Sequence, residues 1–273
     1  MSKSELKGWK SEPHLVKDED LDRELSWIRA YFHSSEGNGG SEWVRNLHEV
    51  RQRDLMLFNL GNLGGKNVLD VGCGAGEYLR TVGKMGASYL GGQDLDENAV
   101  KRGRVKFDEE KLEGKLVIGD CQKLDFPDNF FDAAFSSDFF EHISKDVKEN
   151  VVNEVFRVLK PGGVFVIKTP NLSYLRLIIN LKRFINLLRL RSPFIYIAHT
   201  KDNPDNEHYG LTTHSELESI LEDSFFHTPE ITHTPLIRKR LPMFITNLLH
   251  GKKLFSESII ITAKKSIFYG IWG

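Results

Sequence analysis

Five acids and one histidine in this chain stand at spacings that could do chemistry. Asp70 sits in the apolar run Val68-Leu69-Asp70-Val71, which passes directly into Gly72-Cys73-Gly74-Ala75-Gly76 and then into Tyr78-Leu79-Arg80-Thr81-Val82 with helical spacing. Glycines spaced this way allow positive φ and let a ligand approach the backbone closely, and the helix behind them points its N-terminus at that ligand. The stretch reads as a nucleotide cradle, although similar glycine patterns open dinucleotide folds and ordinary tight turns, so the other acids must decide. Asp94 ends a second strand-like stretch from Ser88, a place where a carboxylate can accept both hydroxyls of a ribose. Asp120 ends a third, from Lys115. Asp138-Phe139-Phe140-Glu141-His142 then puts two carboxylates and an imidazole within reach of one face of a turn. Such a group suits a general base, a structural hydrogen-bonding cluster or a divalent cation.

An acid ahead of G-C-G-A-G, followed by acids at the ends of the next two strands, resembles the cofactor-binding motifs of the class I S-adenosylmethionine (SAM) dependent methyltransferases. The resemblance covers roughly residues 68–170. It implies that Asp70 bonds the loop or the methionine ammonium, that Gly72, Cys73 and Gly74 form the loop, and that Asp94, with Leu95 beside it, holds the ribose. It further implies that Asp120 meets the adenine amino group, that Cys121 offers a backbone N–H to the ring, and that Ser137 lies where cofactor and acceptor meet. A sulfonium cation makes an acid beside the loop sensible, whereas a pyrophosphate needs only N–H groups there.

The order acid-x-x-Glu-His also resembles two O-methyltransferase families, those of ubiquinone biosynthesis and the small-RNA 2′-O-methyltransferases, in which this group holds a divalent cation. The RNA enzymes add a later histidine, matched here by His208 in Asn206-Glu207-His208-Tyr209-Gly210. Asp138 stands where both families carry a glutamate, and its shorter side chain counts against a metal. The expected catalytic group is therefore His142 with Glu141 and Asp138, His142 acting as general base or in a structural hydrogen bond, while a divalent cation held by these residues and His208 stays open but is not favoured.

Strands and helices must alternate to position these groups. Strand patterns at Val68–Val71, Ser88–Asp94, Lys115–Asp120, Ala133–Ser137 and Val164–Lys168 enclose helical patterns from Asp96 or Glu97 to Phe107 and from Val151 to Leu159. Asp96 reads as the cap of the first of these helices. Later strands are expected at Glu230–Ile237 and Ser258–Ala263, with a Thr213/Glu216 capping box opening a helix at 215–223. The fold expected is an α/β, Rossmann-like, seven-stranded and mostly parallel sheet. Residues 1–60 read as a leader and N-terminal helical lid, and 61–273 as the SAM-binding domain with insertions at about 172–200 and 238–255. The first insertion is a basic amphipathic helix, Leu172–Ile197. Its charges cost about 3 kcal/mol each at mid-bilayer, which excludes a comfortable transmembrane reading. A surface helix on a membrane, a lid over the substrate and a helix packed on the domain all stay open.

Net charge is −1, from 37 basic and 38 acidic residues, which excludes global attraction to nucleic acid; 40% hydrophobic residues exclude wholesale disorder. The two cysteines, Cys73 and Cys121, do not make a disulfide framework and point to a reducing, cytoplasmic setting. Residues 1–22 carry no apolar run of the kind a secretory signal needs. The expected activity is SAM-dependent methyl transfer to an oxygen of a small-molecule, lipid-linked or glycan-type acceptor, with peripheral membrane contact left open. The alternatives are RNA 2′-O-methylation, disfavoured by charge and by the lack of a recognisable RNA-binding module, and a non-catalytic SAM-fold binding protein.

Overall fold

The computed structural model describes residues 55–194, 208–233 and 252–266. Among these residues seven strands form one sheet: β1 (Asn67–Val71), β2 (Tyr89–Asp94), β3 (Gly114–Ile118), β4 (Phe131–Ser137), β5 (Leu159–Pro170), β6 (Phe226–His233) and β7 (Ser258–Lys265). Their order is β3-β2-β1-β4-β5-β7-β6. All pairings from β3 across to β5 are parallel, and β7 runs antiparallel between β5 and β6. The chain proceeds outward from β1 through β2 to β3 and then returns to place β4 on β1's other side. A crevice therefore opens at the carboxyl ends of β1 and β4, the switch point where open α/β sheets bind ligands.

Strand periodicity divides the core between the two faces. Val68, Phe135, Val166 and Ile260 pack in one buried cluster, while their neighbours Leu69, Ala134, Ile167 and Ile261 pack in the other. Helices α1 (Glu77–Lys84), α2 (Glu97–Glu110), α3 (Lys145–Val158), α4 (Leu172–Leu188) and α5 (His214–Asp223) complete the described architecture. The capping expectations hold. Asp96 accepts from Ala99 N at 2.9 Å, and Thr213 and Glu216 form a reciprocal capping box at the start of α5.

Several boundaries differ from expectation, among them α3, which begins at Lys145 rather than Val151, and β5, which begins at Leu159 rather than Val164. Helix α4 stops at Leu188 because Leu190 takes a left-handed φ of 51° while Arg191 N turns back to Asn186 O at 2.8 Å. Strand β6 begins at Phe226, four residues early, where a left-handed Phe225 ends the turn and the Phe226 ring is buried in the core. Of the expected N-terminal lid, residues 1–54 lie outside the described residues, as do 195–207 and most of the second insertion. Residues 55–59 are helical, and Met56, Leu57 and Leu60 join the cluster of Val68 and Leu90, whereas Phe58 is exposed.

Candidate active site

The glycine loop leaves β1 with Gly72, Gly74 and Gly76 all at positive φ (77°, 50° and 71°). Two of these positions also answer to space. A Cβ on Gly72 would lie 2.5 Å from the Phe139 ring, while one on Gly74 would meet nothing within 4 Å. The loop is thus closed beneath and open above Gly74.

Buried Gln93 fastens the loop. Its carbonyl oxygen accepts from Gly72 N (2.9 Å) and Cys73 N (3.2 Å), and its side-chain amide donates to the carbonyls of Asp120 and Lys123 at 2.8 and 2.9 Å. One residue therefore joins the glycine loop to the loop behind β3. Its position between Gly92 and Asp94 gives no sequence signal of that role.

Asp94, ending β2, accepts from Gly74 N through one carboxylate oxygen and from Asp96 N through the other, both at 2.8 Å. Asp70 is buried under the loop, and its burial, then the Asp94 charge, holds its carboxyl well above the usual carboxylate range. A cation brought to this site would reverse that push, so the donor set suits a ligand bearing an ammonium or sulfonium group. Leu95 is 70% exposed and Ile118, at the end of β3, 37% exposed, an apolar surface of the kind a planar base covers. Ile118 was not among the expected site residues. Asp120 is exposed and binds Gln122 through N and Nε2, both at 2.9 Å.

Neither cysteine offers a reactive thiol. Cys73 and Cys121 are buried, burial pushes both thiols up, Cys121 to about 12, and Cys121 Sγ donates inward to the Gln93 carbonyl at 3.4 Å.

Across the crevice, β4 ends at Ser137, whose hydroxyl donates to Asp138 at 2.9 Å. Asp138 adopts a left-handed φ of 55°, and its carboxylate is taken by the buried amine of Lys168 on β5 at 2.7 and 2.5 Å. The spacing puts Asp138, Glu141 and His142 on one face of a turn, whereas the structure sets Asp138 ahead of the turn that carries the other two. Only Phe140–His142 forms a helical turn, a short 3-10 one, and Asp138 precedes it with its carboxylate already bound.

His208 is the residue that joins the cluster. One ligand atom each from Glu141, His142 and His208 lie within 4.8 Å of one another, and the two imidazoles meet edge to face with centroids 4.8 Å apart. Glu141 is buried and accepts from Thr169 Oγ1 at 2.9 Å; burial, then the Asp138 charge, raises its carboxyl above the ordinary range. His208 is held there through Gly210, whose N–H donates to Glu141 O at 2.8 Å and whose carbonyl accepts from the buried Lys148 amine. A Cβ at Gly210 would run into Ile143 O, so only glycine lets the two segments lie this close. A carboxylate and two imidazoles at these distances can accept a proton or ligate a divalent ion.

Residues 69–167, from β1 through β5, match the family model described as a methyltransferase domain. The chain is 32% identical over 169 residues to a sterol 24-C-methyltransferase of Gibberella zeae, a match covering 56% of this chain and 44% of that protein. It is 36% identical over 145 residues to squalene methyltransferase 1 of Botryococcus braunii, covering 52% and 37%. These matches span less than half the length of either relative. Among solved structures, phosphoethanolamine N-methyltransferase 2 of Haemonchus contortus in complex with S-adenosyl-L-methionine aligns with a TM-score of 0.57 at 18% identity, over 79% of this chain and 52% of that one. A SAM dependent methyltransferase from Aquifex aeolicus aligns with a TM-score of 0.52 at 20% identity, over 78% and 88%. At such identities the likeness is one of fold.

Proposed function

We propose, on the premise that residues 69–167 are a methyltransferase domain of the class I fold, that this chain moves a methyl group from SAM to an oxygen on an acceptor with an apolar, lipid-type body. The observation that carries the reading is the Asp94–Gly74 hydrogen bond beneath open space at the switch point, with the buried acid Asp70 below. When bound, SAM supplies a methyl already activated by its sulfonium. The chain's residues have only to hold, align and deprotonate.

Asp94 is suited to the ribose hydroxyls, Asp70 to the cationic end, and Leu95 with Ile118 to the base. On the acceptor side, His142 takes the proton of the acceptor hydroxyl. The Glu141 carboxyl lies within 4.8 Å of the His142 imidazole, and the His208 ring packed against His142 fixes its orientation.

A second reading puts the methyl on carbon. The relatives named as sterol and squalene methyltransferases favour it, and methylation of an alkene carbon also ends in loss of a proton, which the same histidine would accept. Incubating the protein with methyl-labelled SAM and a cell lipid extract, and separately with total RNA, then locating the label by mass spectrometry, tests both. Label in an ether or ester methyl supports the first and label on a carbon skeleton the second; label confined to RNA, or no turnover with SAM bound, rejects both.

A further inference from the structure

Helix α4 carries a pattern that the pocket does not use. From Asn171 to Phe194 the chain holds five cations, Arg176, Lys182, Arg183, Arg189 and Arg191, and no carboxylate, in a protein of net charge −1. With about 3.6 residues per turn, Tyr174, Leu177, Leu181, Phe184, Ile185 and Leu188 fall in one arc about 100° wide. Lys182 and Arg189 run beyond one edge of it, Arg176 and Arg183 beyond the other.

Near the domain this arc is covered. Asn171 caps the helix through Ser173 N at 3.0 Å and donates to Ser256 O at 2.7 Å, and Tyr174 is buried with its hydroxyl donating to Glu257 at 2.8 Å. Past Ile179 the same arc is bare, with Leu181 51%, Phe184 58% and Leu188 68% exposed. The helix is fastened at its start, and its distal half carries an exposed apolar stripe. No described helix is long and apolar enough to cross a membrane.

We propose that the distal half of α4 docks on an anionic lipid surface, with its apolar arc at the headgroup–acyl boundary and its cations among the phosphates. Cations flanking an apolar stripe, with no acid along the segment, complement such a surface. They oppose a second copy of this chain, whose own α4 would bring like charge to the same edges. The helix leaves the domain beside the cluster, since Thr169, two residues before Asn171, donates to Glu141. The dock rests on α4 alone and stands apart from the proposed reaction.

Co-sedimentation of the full chain with phosphatidylcholine vesicles, and with vesicles that also contain phosphatidylglycerol, tests it. The chain is expected to sediment with the mixed vesicles and to be released by salt. Neutralising Lys182 or Arg189 to Gln should weaken partition about fivefold each. The double variant Phe184→Ser/Leu188→Ser should lose binding more than about tenfold, with an unchanged melting temperature because both side chains are exposed. Absence of binding, equal partition to both vesicles, or a dimer in light scattering that the double variant abolishes would overturn the proposal.

Discussion

The buried amine of Lys168 donates to both carboxylate oxygens of Asp138, at 2.7 and 2.5 Å, across the carboxyl ends of β5 and β4. Burial by itself would lower the lysine's pKa, but the charge of Asp138, with smaller help from Tyr78 and Glu141, outweighs it and holds the amine above its ordinary value. The Asp138 N–H also donates to the Lys168 carbonyl at 3.0 Å, so the pair fixes the left-handed corner from which the Glu141–His142 turn starts.

Lys168→Met and Asp138→Asn should each cost about 1–3 kcal/mol in urea unfolding, less than a fully buried pair because Asp138 is half exposed. The double variant should cost less than the sum, since it leaves no buried charge without its partner. Strict additivity would mean that the two side chains do not act as a pair.

Gly72→Ala places a methyl against the Phe139 ring and an L-residue at a φ of 77°. The expected loss is about 2–4 kcal/mol, part from backbone strain and part from overpacking. In a Phe139→Ala background the overpacking share should disappear while the strain share stays. An undiminished loss there would assign the whole effect to the backbone.

Lys148 gives a dependence on pH. Burial lowers its amine to about 8 from an ordinary 10.5, against the upward pull of Glu216 and Glu141. Between those values the unfolded chain binds the proton that the folded chain has released. Stability therefore carries the full penalty below pH 8 and recovers as pH rises toward 10.5, by up to about 3 kcal/mol. Urea titrations across this range should show that rise in the wild type and lose it in Lys148→Met. A parallel rise in both would place its origin elsewhere.

If His142 is the base, His142→Asn should lower kcat by about 10²–10⁴-fold with SAM affinity unchanged. Glu141→Gln should lower kcat less, because Glu141 acts through the histidine. An unaffected kcat in His142→Asn would leave the cluster a purely structural role.

Sequence legibility followed range. The glycine turn, Asp70 and Asp94 belong to short strand–turn segments whose residue types report their own conformation, and the Asp96 and Thr213 caps are likewise local. Placing Asp138 with Glu141 assumes a continuous helical turn, whereas the corner at Asp138 is set by a lysine 30 residues later. Lys168 ends the run Val164-Phe165-Val166-Ile167 as a solvent-facing lysine would, and Lys148 sits in the polar stretch Lys145-Asp146-Val147-Lys148-Glu149. Their burial comes from tertiary partners that no spacing encodes. Gln93 is silent for the same reason. His208 lies 66 residues past His142, and Gly210, pressed onto the Ile143 backbone, helps to bring it into place.

Asp94 and the glycine loop together are proposed to form a SAM site. Calorimetric titration with SAM and with its demethylated product tests it in the wild type and in Asp94→Ala, which removes both the proposed ribose acceptor and the anchor of Gly74 N. Saturable binding of both ligands to the wild type is expected, with a loss of about 10–100-fold in the variant, the worth of one or two charge-assisted hydrogen bonds. No binding to the wild type, or equal binding by the variant, would contradict it.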